Sequence, residues 1–177
     1  RVEDTLVVLV EFTETTDTLN AYSGSEYDGT VKESDSYYSN LFYDVSDNNV
    51  YTVRNYFRQQ SGGKLDLPPA PESYGLENDG IIRVKLDFPH PNDYETSGKD
   101  IGILTAAATR NITIAAINKA AQYIDFAYFD KNSDGMLKRN ELRINLVLAS
   151  GNQNKSPGTR AFMAYTPLAS PGDNAVI

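Results

Sequence analysis

The chain has 177 residues, and its 40% hydrophobic and 23% charged content is ordinary for one globular domain. Its 24 acidic and 16 basic residues give a net charge of −8, which argues against nucleic acid and anionic membranes as partners and is compatible with binding a divalent cation. The longest apolar run, Leu6–Val10, is far shorter than the roughly 20 residues of a membrane-spanning helix, so we expect no membrane insertion.

The first predicted element is a strand at Leu6–Val10, followed by Phe12. The run is apolar throughout and rich in β-branched residues, which is typical of a central strand covered on both faces in an α/β sheet. The next segment, 13–34, is rich in Thr, Ser, Gly and Asp, and this composition predicts a long surface loop.

Two short helices are predicted next, because apolar residues recur at i, i+3 and i+4. Ser34 or Asp35 is the expected cap of the first helix and Thr52 that of the second, which Gly62-Gly63 would end. The apolar positions are Tyr38, Leu41 and Phe42 in the first helix and Val53, Tyr56 and Phe57 in the second. Tyrosines here are interpreted as packing at the rim of the sheet, with a carbohydrate- or peptide-binding surface as the alternative: Tyr37, Tyr38, Tyr43, Tyr51 and Tyr56.

The second half of the chain continues the alternation of helices and strands. Residues 64–79 contain three prolines and predict an irregular connection, and Ile82, Val84 and Leu86 then alternate with charged residues as a half-buried strand. An amphipathic helix follows, with 101–110 as its first part or a separate turn, and its predicted apolar face is Ile114, Ile117, Ala121 and Ile124. Leu142–Leu148 predicts a last strand, ending at Ser150-Gly151, and the tail, 152–177, shows no periodicity. The fold class is therefore α/β, a mixed sheet with packed helices.

Residues 130–141 match the twelve-residue EF-hand calcium loop at every specified position. Ca²⁺ takes about six to eight oxygen ligands, and side-chain oxygens on alternate residues can converge on one ion as the backbone curls. The glycine at the sixth position permits the sharp turn that directs the next carbonyl inward, and the final glutamate closes the shell with both carboxylate oxygens. The candidate calcium ligands are Asp130, Asn132, Asp134, Met136 and Glu141.

A solvated turn is the alternative interpretation of this loop, because Asp and Asn side chains readily accept hydrogen bonds from their own backbone. Without an ion, three crowded carboxylates would repel, although Lys131, Lys138 and Arg139 reduce that repulsion. At the eighth position, Leu137 is expected to point away from the ion and to attach the loop to the core.

The flanks of the loop favour a structural site over a calcium sensor. A paired sensor needs helices on both sides and a second loop of the same kind. Here we expect a helix to enter the loop and the strand Leu142–Leu148 to leave it, and the sequence contains no second such loop. The pattern predicts a calcium clamp that joins helix to sheet, and it suits an extracellular setting where calcium is abundant.

The counts of cysteine and histidine exclude several kinds of catalytic site. With no cysteine there are no disulfides, catalytic thiolates or cysteine zinc sites. The one histidine, His90, would have to serve alone in a Ser-His-Asp triad, and a catalytic zinc site usually takes three protein ligands. We therefore expect no histidine-dependent hydrolysis by this chain alone, and we interpret His90 as a loop residue in preference to a metal ligand for a partner segment.

The two ends of the sequence suggest a piece of a longer chain. The first residues include no initiator Met and no signal-peptide pattern, and 171–177 have loop-like sequence. We expect residues 1–177 to be a single domain or the excised amino-terminal part of a larger one.

Several segments resemble the opening of the immune inhibitor A family, which are secreted bacterial zinc metallopeptidases. The segments are Leu6–Phe12, Tyr37–Tyr43 and Val53–Leu65, and Ile124–Gly151 is also similar to the family. The resemblance covers roughly residues 5–67 and 112–151, whereas 68–111 and the tail match loosely. The calcium loop alone would not select this family.

The resemblance implies a zincin-like α/β catalytic domain that acts on protein or peptide substrates outside the cell. In that family a helix carries His-Glu-x-x-His, whose histidines bind zinc and whose glutamate activates a water molecule. This chain contains no such motif, and 152–170 lack the tryptophan and histidine that the family tends to place there. No catalytic residue can be carried over, so zinc is expected only in a longer parent protein.

Two hypotheses follow from the sequence. The first is the amino-terminal portion of a secreted, calcium-stabilised zinc metallopeptidase, a hydrolase fragment that is inactive alone. The second is a non-catalytic, calcium-dependent extracellular binding or surface module.

Overall fold

The structure is a computed structural model, and it describes residues 1–13, 29–46, 51–88, 106–138, 140–149 and 163–164. In chain order its elements are β1 (Asp4–Glu11), α1 (Asp35–Tyr43), α2 (Val53–Gln60), β2 (Ile81–Lys85), α3 (Ala106–Ala120), a 3-10 helix (Phe126–Phe129), β3 (Leu142–Leu148) and β4 (Met163–Ala164). Strands and helices therefore alternate along most of the described chain.

The strand β1 lies inside a four-stranded sheet of order β2-β1-β3-β4. It is parallel to β2 and β3, and β4 is antiparallel to β3. All residues of Leu6–Val10 are fully buried, so both alternating faces of β1 are covered. The prediction of a central strand in a mixed α/β sheet is confirmed.

Side-chain caps fix where the first two helices begin. The hydroxyl oxygens of Ser34 and Thr52 each accept a hydrogen bond at 3.2 Å from the backbone N–H three residues further on. After α2, Gly63 has a φ of 79°, and its N–H donates to the carbonyl of Arg58 at 2.8 Å. The predicted caps and the glycine stop are confirmed.

The apolar faces predicted for α1 and α2 are only partly buried. Phe42 and Tyr43 of α1 lie in the core, but Leu41 is 40% exposed, and α2 contains no buried residue. The side chain of Arg54 attaches α2, because its Nε and Nη2 donate to the two carboxylate oxygens of Asp66 at 2.7 and 2.8 Å. An ion pair therefore helps to hold α2 in place, where the sequence pattern predicted apolar contacts alone.

The apolar face predicted for α3 was wrong in part: Ile114 and Ala121 are exposed, but Ile117 is half-buried and Ile124 is buried. The buried residues of α3 include Ile112, Ala116 and Ala120, whereas Ile114 is 45% exposed. The helix ends at Ala120, so the predicted face members Ala121 and Ile124 lie beyond it; Ala121 is exposed and Ile124 is buried.

The strand β2 and the connection before it follow the sequence pattern. Ile82, Val84 and Leu86 are buried and Lys85 is exposed. Residues 64–79 form no helix or extended strand, and they contact the start of the chain through the isolated bridges Val2↔Asp66 and Thr5↔Pro69.

Some predictions concern residues outside the described part of the chain. They include the segment 14–28 of the predicted loop, His90, the segment 101–105 and Ser150-Gly151. Within 101–110, the described residues from 106 onward belong to α3. The tail contains β4, which the sequence pattern missed, because two residues are too few to show a periodicity.

Candidate metal centre

The calcium-loop sequence lies between a short 3-10 helix and the first residue of β3. The α-helix expected to enter the loop is not there: α3 ends at Ala120, and the 3-10 helix begins after its cap Asp125, whose Oδ1 accepts the N–H of Ala127 at 3.0 Å. The predicted strand does leave the loop. Phe129 and Leu142, which flank the loop, are both buried and anchor its two ends.

Three polar side chains of the loop turn inward onto its own backbone. The carboxylate of Asp130 accepts the N–H groups of Asp134 at 3.2 Å and Gly135 at 2.8 Å. The Oδ1 of Asn132 also accepts the N–H of Asp134, at 3.0 Å, and Asp134 Oδ1 accepts that of Met136, at 3.0 Å. These bonds bring Asp130, Asn132 and Asp134 together around one turn.

The turn depends on two residues in the left-handed region. Gly135 has a φ of 74° and Ser133 one of 55°. A glycine adopts this conformation without the steric cost that a Cβ imposes, which is the reason the sixth position of such a loop is a glycine. Leu137 packs against the core cluster, as its position in the motif predicted.

Glu141 closes the segment from its far end. The residue is only 3% exposed, and its Oε2 accepts the N–H of Lys138 at 2.9 Å, while its own N–H donates to the Lys138 carbonyl at 2.9 Å. The Glu141 carboxylate is therefore held in place by the backbone of Lys138.

An ammonium group lies among the acidic residues of the loop. The Nζ of Lys138 donates to Asp134 Oδ2, and this hydrogen bond lowers the pKa of the Asp134 carboxyl and raises the pKa of Lys138. The Glu141 and Asp130 carboxylates raise the pKa of Lys138 further through their charges. The sequence interpretation treated this lysine as general charge compensation and missed the specific contact, since the i,i+4 pairing rule holds on helices and these residues lie in a loop.

The donor chemistry of the loop fits a hard oxygen-binding cation. Aspartate and glutamate carboxylates, an asparagine amide oxygen and a backbone carbonyl are the ligands that Ca²⁺ takes. Asp134 Oδ2 already accepts hydrogen bonds from Asn132 Nδ2 and Lys138 Nζ, so an ion bound by that oxygen would displace them. In the described residues, however, no three His, Cys, Asp or Glu side chains are already grouped as a metal-binding set. The observed hydrogen bonds also match the solvated turn that the sequence left open.

One ion pair joins the loop to β1, and a second joins β3 to the residue before β1. Lys131 Nζ lies 3.6 Å from Asp4 Oδ2, and Asp4 is the register partner of Leu142. The buried Glu3 beside it is paired with Arg143 of β3. Nothing local in the sequence indicated these contacts, because the partners are more than 120 residues apart.

A shallow open depression lies beside the end of α3. It is lined by Ser73 and by residues 121–126, and the carboxylate of Asp125 in it is engaged as the cap of the 3-10 helix. This arrangement offers no nucleophile paired with a base, and no catalytic residue is assigned from it.

No helix among the described residues has the length and apolar content needed to cross a membrane. Comparisons of the chain with models of protein families, with curated proteins and with solved structures found no match.

Proposed function

We propose that residues 130–141 bind one calcium ion and that this ion stabilises the junction between the 3-10 helix and β3. The ligands are Asp130, Asn132, Asp134, the carbonyl of Met136 and Glu141. The observation that carries the proposal is the turn at Gly135, where the side-chain oxygens of Asp130, Asn132 and Asp134 all accept backbone N–H groups of one turn and a buried glutamate lies at its end.

The setting of the loop supports a clamp in preference to a switch. A sensor opens a pair of helices, but this loop is entered from four residues of 3-10 helix and is followed by a strand of the sheet. An ion held here would connect the loop to β3 and, through the pairing of Asp4 with Leu142, to β1. Such a site suits an extracellular protein, because calcium there is constant and abundant.

Calorimetric titration of the whole chain with calcium tests the site directly. We expect one ion per chain, and we expect Asp130→Asn to abolish binding, because it removes a ligand charge and keeps the side-chain shape. Asp87→Asn is the matched control: it removes the same charge from an exposed residue that pairs with Lys119, far from the loop in sequence. Equal binding by the wild type and Asp130→Asn would contradict the assignment.

We further propose that the chain is the amino-terminal portion of a secreted bacterial zinc metallopeptidase with a zincin-like catalytic domain. Support comes from the segments that resemble the immune inhibitor A family and from the α/β class of the fold. The donor set for the zinc itself does not fit this chain, since His-Glu-x-x-His needs two histidines and the sequence has one. Zinc and the residues that act on a protein or peptide substrate would belong to a longer form of the protein.

A non-catalytic, calcium-dependent extracellular binding module is the second candidate function. The observation that favours it is exposed aromatic surface at α1 and α2, where Tyr37 is 48% and Tyr56 is 55% exposed. Tyr51, between the two helices, is 90% exposed, whereas Tyr43 is buried, so the five tyrosines do not form one packed rim. In a longer form of the chain, a His-Glu-x-x-His would support the peptidase, and a cell-wall anchor or repeated adhesion domains would support the binding module.

A proteolysis assay tests the expectation that this chain is inactive alone. The purified 177-residue chain, incubated with zinc, calcium and a fluorescently labelled unfolded protein, should release no more label than buffer does. Zinc-dependent release that a chelator stops would show that the chain itself assembles a zinc site, and it would overturn the argument from the histidine count.

A further inference from the structure

Resting on the calcium site proposed above, we propose that Lys138 is an internal competitor for calcium, whose ammonium group occupies the loop when the ion is absent and weakens calcium binding. The Lys138 side chain is not itself a calcium ligand. It sets the affinity of the site by holding a ligand oxygen that the ion must take over.

The contacts of Lys138 place its charge among the calcium ligands. Its Nζ donates to Asp134 Oδ2, which belongs to the fifth position of the loop. Its backbone N–H donates at 2.9 Å to the Oε2 of Glu141, the residue at the twelfth position. One residue therefore engages a carboxylate oxygen of two of the proposed ligands, one through its side chain and one through its main chain.

The competition is reversible because the lysine can leave. Its side chain is 45% exposed and pairs with Asp134 at the surface of the loop, so the ammonium can rotate into solvent when a divalent ion arrives. Calcium carries twice the charge and binds several oxygens at once, whereas the ammonium satisfies one carboxylate oxygen. The ion therefore displaces the lysine, but the lost contact and the remaining repulsion between like charges both reduce its affinity.

The expected consequence is a weak site. Extracellular calcium modules work with dissociation constants of about 10⁻⁴–10⁻³ M, and a competing cation moves a loop of otherwise favourable ligands toward that range. Such a loop would fill outside a cell, where calcium is plentiful, and stay in its lysine-bound form where calcium is scarce.

Lys131 provides an internal comparison within the same loop. It carries the same charge, but its Nζ faces Asp4 Oδ2 at 3.6 Å and not a proposed ligand. Neutralising Lys131 changes the net charge of the protein exactly as neutralising Lys138 does, so the pair separates local competition from general electrostatic attraction.

Calcium titrations of four forms of the whole chain, at about 0.15 M salt where distant charges are screened, test the proposal. Relative to the wild type, Lys138→Gln should bind calcium about five- to tenfold more tightly, and Lys131→Gln should change the affinity by less than about twofold. Lys138→Arg keeps the charge and should stay within about twofold of the wild type.

Three results would overturn the inference. Equal gains in Lys138→Gln and Lys131→Gln would show a general charge effect, and an unchanged affinity in Lys138→Gln would show no competition. If neither the wild type nor Lys138→Gln binds calcium, both the calcium site and the inference are wrong. If both bind calcium equally, the calcium site is supported and only the proposed role of Lys138 is wrong.

Discussion

The side chain of Tyr43 packs against Gly80 in the core and bonds two backbone carbonyls. The Tyr43 hydroxyl donates to the carbonyls of Thr5 at 2.8 Å and Gly80 at 3.2 Å, which joins the end of α1 to the starts of β1 and β2. Burial raises the pKa of this phenol well above its ordinary value, and the nearby Asp79 and Glu72 charges add to the rise. The tyrosine is thus a neutral donor whose one O–H proton is shared between two carbonyls that also accept backbone N–H groups.

Substituting Gly80 tests how much this contact contributes. Gly80 has a φ of 76°, and a Cβ there would lie 2.8 Å from both Pro69 Cβ and Tyr43 Oη, so Gly80→Ala should lower the free energy of unfolding by about 3 kcal/mol through backbone strain and overpacking. Gly62→Ala is the control, because φ is 61° but no atom lies within 4 Å of the added carbon. That variant should lose only about 1 kcal/mol in urea unfolding. Similar losses in the two variants would show that the close packing of Tyr43 and Pro69 on Gly80 adds nothing to the cost of a left-handed alanine.

At the scale of elements, the sequence predicts features that depend on neighbouring residues, such as caps and strands, better than it predicts contacts between distant segments. The start of α2 was predictable because Thr52 and the N–H that it caps are three residues apart, and β1 was predictable because its five apolar residues are consecutive. The contact that holds α2 in place was not predictable, because Arg54 binds Asp66 and the backbone of Asp66 in turn pairs with the start of the chain. The face of α3 was predicted wrongly for a similar reason. Ile112, Ala116 and Ala120 form one stripe of the helix and the predicted residues form another, and local spacing does not say which stripe meets the core.

The candidate site likewise has parts that the sequence predicts and parts that it does not. Its proposed ligands are predictable, because one twelve-residue segment contains all of them and the motif fixes their spacing. The element that enters the loop was predicted wrongly as an α-helix, since apolar spacing continues past Ala120 although the helix does not. Two long-range ion pairs required the fold to be known: Lys131 of the loop with Asp4 of β1, and Arg143 of β3 with Glu3.

At the scale of the whole molecule, the loop occupies a position from which one ion could affect the whole sheet. It leads directly into β3, which pairs with β1 over seven register positions from Asp4 to Val10. On its other edge β1 pairs with β2, so β1, whose central residues are buried, lies between its two parallel neighbours. Fixing the start of β3 therefore restricts the pairing on which the core depends, and calcium should stabilise the fold as a unit.

The most direct test of the calcium clamp is the melting temperature of the whole chain in calcium and in chelator. At a free calcium concentration about 100 times the dissociation constant, binding to the folded state alone contributes about 2.7 kcal/mol, which raises the melting temperature by about 5–10 °C. Magnesium should give a smaller shift, and Asp130→Asn should melt at one temperature in both solutions. A wild-type chain that melts identically in calcium and in chelator would contradict the clamp.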